Sequence, residues 1–462
     1  MVQKINMGIV SPHYAVTNNK FVSQGNLTNL PVKNTKVPMP TLLAYMLAQS
    51  SLSGVNVSFY NSLALPKMKE KYSTLAGDCV YDLSKRAGKK GQILDWIKVL
   101  PQNQLNRIDE IYDLADSLKQ NGAEKLVIIG IGGSKHTVEN LLHLNGFEDK
   151  AVFLSAVDPE CIESFLTKKI GDKGKIGVLV ASKSGTTLEP SYDFEVLQEF
   201  LGPEFKNYVC ITDKDSSKSK LRQIANQKNY RCGLIHDDCG GRFGAFDDHS
   251  LVALAFCGMS KENIRKMLQA SLLAQNKFLI PDIMQNPALQ RAIFNVEAII
   301  NGKINQYDYY FGDMFEGTTL WNTQLKKESH KSLYKPSGDL IGPAFLHNST
   351  ESDLDEGNTT SFYTFNTVKH DNDKKHKLAN ALFNGSLKAY SERHPVSVIS
   401  LKNLSPDSIA EFIELKHFET MYTGMMLRQL ISGKACTDVL NEVIQPHVGI
   451  YKKEVNKILE QS

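Results

Sequence analysis

The chain has 462 residues, of which 42% are apolar, more than one compact core usually holds, and this indicates two domains. Its 53 basic and 50 acidic residues leave a net charge of +3, which argues against a nucleic-acid-binding protein or one drawn to anionic membranes. No stretch approaches the ~20 consecutive apolar residues of a membrane span. We therefore expect a small-molecule partner, with no nucleic acid and no membrane.

The seven cysteines are scattered along the chain without a CxxC pair, a pattern that predicts reduced thiols and gives no support to a zinc site. The N-terminus lacks the continuous apolar core of a signal peptide. We expect a cytoplasmic protein that needs neither a metal ion nor another cofactor.

Residues 1–92 carry mixed signals, with Pro, Asn and Ser interrupting the apolar positions, so the structure of this N-terminal region stays open. From Lys125 onward, short apolar runs alternate with amphipathic stretches, a pattern typical of βαβ units. It predicts one doubly wound parallel sheet. Its expected strands are KLVIIG, KAVFLSA, IGVLVAS, YVCIT and CGLIH.

A second α/β unit is expected in the later part of the chain. Helical patterns over 260–279 and 286–302 precede strand-like runs at YDYYFGD, SFYTFNTV and PVSVISL. The final part, from Ile409, is helical, and we expect its Met and Phe stripe to be core. The predicted fold class is therefore α/β, with mostly parallel sheets and a helical C-terminal segment. We place the domains at 93–260 and 261–462.

The stretch VLVASKSGTTLEP begins as a buried strand and breaks into small polar residues at Ser182. In an open parallel sheet, ligands bind beyond the carboxyl ends of the strands, where the next helix begins. Hydroxyls, a flexible Gly185 and the N–H groups of the following helix would form an anion cradle there, with Lys183 adding positive charge. The alternative is an ordinary Ser or Thr N-cap.

A glycine-rich turn, the first along the chain, follows the strand KLVIIG, with Gly130, Gly132, Gly133 and Ser134 at the junction with a helix. It lacks the third glycine of a G-x-G-x-x-G dinucleotide fingerprint, and no G-x-x-x-x-G-K-[ST] loop is present. Two polar turns on neighbouring strands instead predict a pocket for a small phosphorylated metabolite.

Five motifs occur in order along the chain: GIGGS, ASKSGTTLEP, GGRFGAF, QLKKES and QPHVGIYKK. Together they resemble the landmarks of the glucose-6-phosphate isomerase family, whose two domains are doubly wound α/β/α sandwiches of the sugar-isomerase type. The similarity runs from about Trp96 to the C-terminus. SKSGTT alone occurs in other sugar-phosphate-binding domains, whereas the five motifs together are specific.

The resemblance implies roles for residues of these motifs. Glu328 would be the catalytic base, Arg242 would stabilise the enediolate, and Gln324 and Gly133 would contact substrate. Without the motif, a glutamate beside two lysines is typical of a solvated surface. Arg242 after two glycines would then be typical of a structural ion pair. The substrate phosphate would be held by Ser134, Ser182, Lys183, Ser184 and Thr187.

Ring opening is the second step that the resemblance implies. His347 would open the sugar ring and Lys452 would assist, since opening a hemiacetal requires proton transfers near neutral pH. In the family this histidine reaches the pocket from the neighbouring subunit, which implies a homodimer. Taken alone, His347 and Lys452 would pass as exposed residues.

Several positions depart from the family pattern. His447 and Gly449 stand in QPHVG where QPGVE is usual, which changes the setting of Lys452. After the histidine, the family usually has a Gly-Gln pair, and this chain has Thr350 and Glu351 instead. Gly244 stands where the family has a serine. ESHKS stands where the family has ESxGK.

The expected function is interconversion of glucose 6-phosphate and fructose 6-phosphate through an enediol. One alternative is another sugar-phosphate isomerase, for example one acting on an aminosugar phosphate. The other is a non-catalytic sugar-phosphate-binding regulator. Retention of Glu328, Arg242, His347 and Lys452 together favours catalysis, because a sensor needs only the anion cradle.

Overall fold

The computed structural model describes residues 54–119, 122–433 and 439–461, and leaves aside the side chains of Ser337 and Asp339. Its strands are β1 (Val55–Tyr60), β2 (Lys125–Ile129), β3 (Ala151–Leu154), β4 (Ile176–Ala181), β5 (Tyr208–Thr212), β6 (Arg231–Leu234), β7 (Asn305–Phe311), β8 (Lys335–Gly342), β9 (Ser361–Val368) and β10 (Val396–Leu401). Its first helices are α1 (Leu65–Arg86), α2 (Val99–Asn106), α3 (Ile108–Lys119), α4 (Gly133–Leu144), α5 (Pro159–Lys168), α6 (Leu188–Leu201), α7 (Lys220–Lys228) and α8 (Asp248–Phe256). The later helices are α9 (Lys261–Phe278), α10 (Pro287–Ile300), α11 (Glu316–His330), α12 (Ala344–Asn348), α13 (Thr350–Asp353), α14 (Lys377–Ser391), α15 (Pro406–Ser432) and α16 (Val448–Leu459).

The first sheet is parallel throughout, with the strand order β3-β2-β4-β5-β6. All six residues of β4 are buried, as expected for a strand covered on both faces, and the five strands predicted for this sheet are confirmed. The strand that follows β2 in the chain, β3, lies on one side of the sheet, and the strands that follow β4, namely β5 and β6, lie on the other side. The loops after the neighbouring strands β2 and β4 therefore lie side by side at the carboxyl edge, where such sheets bind ligands.

The second sheet has the order β1-β10-β9-β7-β8, and only its edge strand β1 is antiparallel. The α/β class with mostly parallel sheets is thus confirmed. Two edge strands were not predicted. Strand β1 lies in the N-terminal region of mixed signals, and β8 begins with Lys-Pro-Ser-Gly, residues that are rare in strands.

Helix α15 forms much of the core beside the second sheet. It begins at Pro406 after the N-cap Ser405, whose hydroxyl accepts a hydrogen bond from the Ser408 N–H, and it packs against α9, α10 and α11. Phe412, Phe418 and Met421 on this helix are fully buried. The prediction that its Met and Phe stripe is core is confirmed.

Helices α11 and α4 are in direct contact. A Cβ added at Gly317 of α11 would lie 2.5 Å from the carbonyl oxygen of Glu139 on α4, so the two backbones approach as closely as glycine permits. Thr318 also donates to the Asn140 side-chain oxygen at 2.6 Å. This contact brings the helix that carries Glu328 against the helix that begins at the first glycine-rich turn.

Within the described part of the chain, no helix is both long enough and apolar enough to cross a bilayer.

Candidate active site

The first glycine-rich turn ends β2 and begins α4. Gly132 has a positive φ of 57°, a conformation that favours glycine. A Cβ at Gly133 would lie 2.2 Å from the carbonyl carbon of Gly241, so only a residue without a side chain fits there. The N-terminus of α4 therefore rests on the short 3₁₀ turn Gly241–Phe243, and this packing places Arg242 beside the end of β2.

The loop from Ser182 to Thr187 joins β4 to α6. Gly185 has a φ of 63°, and a Cβ there would lie 2.2 Å from the backbone nitrogen of Leu221, so the loop packs against the start of α7. The Ser182 hydroxyl accepts from the Gly185 N–H at 3.1 Å. Thr187 is the N-cap residue of α6, yet its side chain makes no capping hydrogen bond. The loop thus has the donors of an anion site.

Lys183 points away from its own loop. Its ammonium donates to the backbone carbonyls of His236 and Asp237, just beyond β6. The side chain is exposed, and these two bonds span the carboxyl edge of the sheet from β4 to the end of β6.

Arg242 is the most enclosed of the predicted site residues, with a side chain only 1% exposed. Its guanidinium donates to a Glu328 carboxylate oxygen at 3.0 Å, to the Ser329 hydroxyl at 3.1 Å and to the carbonyl oxygen of Glu442. Burial lowers the pKa of Arg242, and the adjacent Glu328 carboxylate opposes that shift. The arginine is a fixed positive charge in a water-poor position.

Glu328 lies near the end of α11 with its side chain 25% exposed. The Gln324 amide donates to its other carboxylate oxygen at 2.9 Å, so the two residues share one helix face, as their spacing predicts. The Gln445 amide donates to Glu328 as well. We call Gln324, Glu328, Arg242 and Gln445 the Glu328 cluster.

The Glu328 cluster adjoins the first glycine-rich turn. A Cβ at Gly132 would lie 3.0 Å from the Gln324 amide nitrogen. The other side of α11 is anchored by a buried ion pair between Lys326 and Asp308 of β7, which Lys416 joins at 3.2 Å. Burial alone would raise the pKa of Asp308, but these cations outweigh it and lower that pKa. The helix is therefore fixed on the side away from Glu328.

Four nearby residues were not singled out in the sequence. Glu442 is buried and pairs with Arg428 at 2.8 Å, and Lys331 donates to the carbonyl oxygen of Asn441. Burial and the positive charge of Arg428 lower the pKa of Lys331 to about 8. Gln445 lies within the quoted QPHVG motif, which was the available signal for it, whereas Glu442 and Arg428 belong to no motif.

His347 lies on the short helix α12, after the edge strand β8, and is exposed. The next turn is firmly held, because the Asp353 carboxylate of α13 accepts hydrogen bonds from the hydroxyls of Tyr309 and Tyr390. Within the described residues, His347 forms no hydrogen bond or ion pair with the Glu328 cluster.

Lys452 lies on α16, a helix without a buried residue. The departures His447 and Gly449 lie at its start and are exposed too. Although Gln445, two residues before His447, contacts Glu328, Lys452 itself forms no ion pair with a described residue. The structure therefore brings Glu328, Arg242, Gln324 and Gly133 together and leaves His347 and Lys452 on exposed helices.

Among the residues that the structure describes, no group of three or more His, Cys, Asp or Glu side chains is arranged to hold a metal ion.

Comparison with solved structures identifies the fold. The chain is similar to a hypothetical protein from Thermus thermophilus, with a TM-score of 0.74, 20% identity and coverage of 87% of this chain and 100% of that one. It is also similar to a glucose-6-phosphate isomerase from Chlamydia trachomatis, with a TM-score of 0.67, 17% identity and 89% of each chain covered. The fold is thus one that phosphosugar isomerases adopt.

Curated relatives agree in name. A glucose-6-phosphate isomerase from Mesoplasma florum is 24% identical over 446 residues, covering 88% of this chain and 97% of the relative. One from Alkaliphilus metalliredigens is 28% identical over 265 residues, which span 54% of this chain and 57% of that protein. No family model matches the chain.

Proposed function

We propose that the chain is a sugar-phosphate isomerase and, more narrowly, that it interconverts glucose 6-phosphate and fructose 6-phosphate. The observation that carries the proposal is the contact between Glu328, Gln324 and the buried Arg242, directly beside the glycine turn after β2. The names of the curated relatives support the same substrate pair.

In this proposal the phosphate binds at the carboxyl edge of the first sheet. Ser134 at the start of α4, with Ser182, Ser184 and Thr187 of the loop after β4, would hold it through hydroxyls and helix N-terminal N–H groups. Lys183 would either leave the carbonyls beyond β6 or act through its backbone N–H. Gly133 would contact the substrate through its backbone, because the place of a side chain there is filled by Gly241.

Glu328 would transfer the proton. Its carboxylate removes the proton from C2 of the open aldose, and the C2–H electron pair forms the C1–C2 double bond of an enediolate. The same proton then returns to C1 while a proton moves from O2 to O1, so the aldose becomes the ketose without net change in atoms or electrons. Arg242 supports this step because a buried positive charge stabilises the developing oxyanion more than the neutral carbonyl. Gln324 would hold a substrate hydroxyl.

Ring opening would precede this transfer, with His347 as the acid–base group and Lys452 assisting. Because His347 is exposed and stands apart from the Glu328 cluster in one chain, we propose a homodimer in which it completes the partner's site. The proposal includes a cytoplasmic location and no cofactor.

The test is conversion of fructose 6-phosphate to glucose 6-phosphate, followed through a coupled dehydrogenase, for the native protein and for Glu328→Gln. We expect kcat to fall ~10²–10⁴-fold in the variant. Glu316→Gln is a matched control, because Glu316 is exposed at the other end of the same helix, and it should keep native activity.

Three results would contradict the proposal. Full activity of Glu328→Gln would place the base elsewhere. A native protein that binds the sugar phosphate without converting it would be a binding protein, and turnover of an aminosugar phosphate alone would assign the chain to a different isomerase.

A further inference from the structure

Glu442 is a buried carboxylate next to the Glu328 cluster. Its side chain is 1% exposed and pairs with the Arg428 guanidinium of α15 at 2.8 Å. Gly424 on the same helix makes room for it, because a Cβ there would lie 2.7 Å from the Glu442 carboxylate oxygen. The position of this carboxylate is therefore determined by both charge and packing.

The main chain around Glu442 contacts the site directly. The carbonyl oxygen of Glu442 accepts from Arg242, and that of Asn441 accepts from Lys331. Three residues further on, Gln445 donates to Glu328. The segment 441–445 is thus attached to both the arginine and the glutamate of the Glu328 cluster.

The charges at this place are unevenly distributed. Arg428 faces Glu442 from α15, Arg242 from the 3₁₀ turn and Lys331 from just after α11, and Glu328 is bonded to Arg242. Of these described groups, three are cationic and two anionic. Burial raises the pKa of Glu442, which Arg428 opposes. Without the Glu442 charge, Glu328 would be the one carboxylate left to balance three cations.

We propose that Glu442 is a positioning residue for proton transfer. Its carboxylate fixes the segment whose backbone carbonyl accepts from Arg242, and its charge prevents the surrounding cations from over-stabilising the Glu328 carboxylate. This inference rests on the proposed function. A base that is held too strongly in its ionised form accepts a proton less readily, so the loss of the Glu442 charge should slow the chemical step. Phosphate binding lies on other elements and should change little.

The experiment compares Glu442→Gln with the native protein in the isomerase assay across pH. The glutamine keeps the shape of the side chain and removes its charge. We expect kcat to fall about tenfold with KM within about twofold, and the acidic limb of the pH profile to move to lower pH. A merely structural role would lower the unfolding temperature and leave the position of that limb unchanged.

Glu414→Gln is the matched control. Like Glu442, Glu414 is a buried carboxylate. It lies on α15 and accepts from Ser271 at 2.6 Å and from Gln275 at 2.8 Å. The same substitution there should leave kcat and the pH profile unchanged. A similar shift of the acidic limb in both variants would overturn the inference.

If Glu442→Gln does not fold, Gly424→Ala tests the same proposal. The added methyl displaces the Glu442 carboxylate from the neighbouring cations without removing its charge. We therefore expect kcat to fall and the acidic limb to move to lower pH, by less than in Glu442→Gln, while KM remains unchanged. Native kcat in a folded Gly424→Ala protein, or a native pH profile with native kcat in Glu442→Gln, would overturn the inference. An inactive native protein would instead contradict the proposed function, so the two failures are distinguishable.

Discussion

The four residues proposed for proton transfer and ring opening fall into two regions that are held very differently. Arg242 and Glu328 lie 3.0 Å apart, and hydrogen bonds from the 3₁₀ turn, α11 and the segment 441–445 converge on them. His347 and Lys452 lie on the exposed helices α12 and α16, without a bond to that group among the described residues.

The difference shows what a single chain can organise by itself. Burial makes unpaired charges costly, so Arg242 is surrounded by acceptors and its geometry is fixed before any ligand binds. An exposed side chain has no such constraint. If His347 and Lys452 act at all, they need something beyond the contacts of this chain to place them, and the proposed second subunit would supply that for His347.

The largest effect after loss of the base is expected from Arg242→Lys. Lysine keeps the positive charge but cannot bridge Glu328, Ser329 and the Glu442 carbonyl together, because it lacks the planar fork of donors. We expect kcat to fall ~10²–10³-fold with KM little changed, measured in the coupled isomerase assay.

Arg107→Lys is the control for that substitution, since Arg107 also bonds a carboxylate, that of Asp248, and has no part in the proposed site. It should keep native kcat. If Arg242→Lys also keeps native kcat, Arg242 contributes only its charge. The fixed geometry of the enclosed region would then not explain its activity.

Part of the site was predictable from local signals. The loop at Ser182 follows an unbroken apolar strand, so the strand–helix junction alone indicated an anion site. The same reasoning located every strand of the first sheet. Glu328 and Arg242 were singled out only by the resemblance of their motifs to a known family, and the four-residue spacing then placed Gln324 on the same helix face as Glu328.

The rest depends on contacts between distant parts of the chain. Gln445 reaches Glu328 across 117 residues and Arg242 reaches the Glu442 carbonyl across 200, and no local pattern encodes either pairing. Strand β1 becomes recognisable only through its pairing with β10, from Val55 opposite Leu401 to Tyr60 opposite Val396. Such pairings follow from the packing of the whole core, which periodicity does not describe.

His347→Ala should have an intermediate effect. Sugar rings also open in water, so we expect kcat to fall about tenfold to a hundredfold rather than by the full amount for a lost base. The sharper measurement mixes His347→Ala with Glu328→Gln after joint refolding. In a shared site, a hybrid dimer has one intact site, and random pairing should restore ~25% of native activity.

If His347 instead acts in its own chain, every site in the mixture keeps one defect and no activity returns. That result would contradict the homodimeric site and would place His347 with the enclosed region, despite its exposure in the structure.

The smallest effect is expected from Lys452→Met. Its ammonium is exposed on a helix without buried residues, and an exposed charge contributes at most ~1 kcal/mol, less than about fivefold in rate. Lys457→Met, which removes an exposed lysine paired with Glu454 on the same helix, is the matched control. Equal losses of kcat in the two variants would contradict the proposed assistance of Lys452 in ring opening and would leave α16 a solvated helix. A loss of tenfold or more confined to Lys452→Met would show that α16 closes onto the Glu328 cluster when substrate binds, with Gln445 already in contact with Glu328 as the fixed end of that movement.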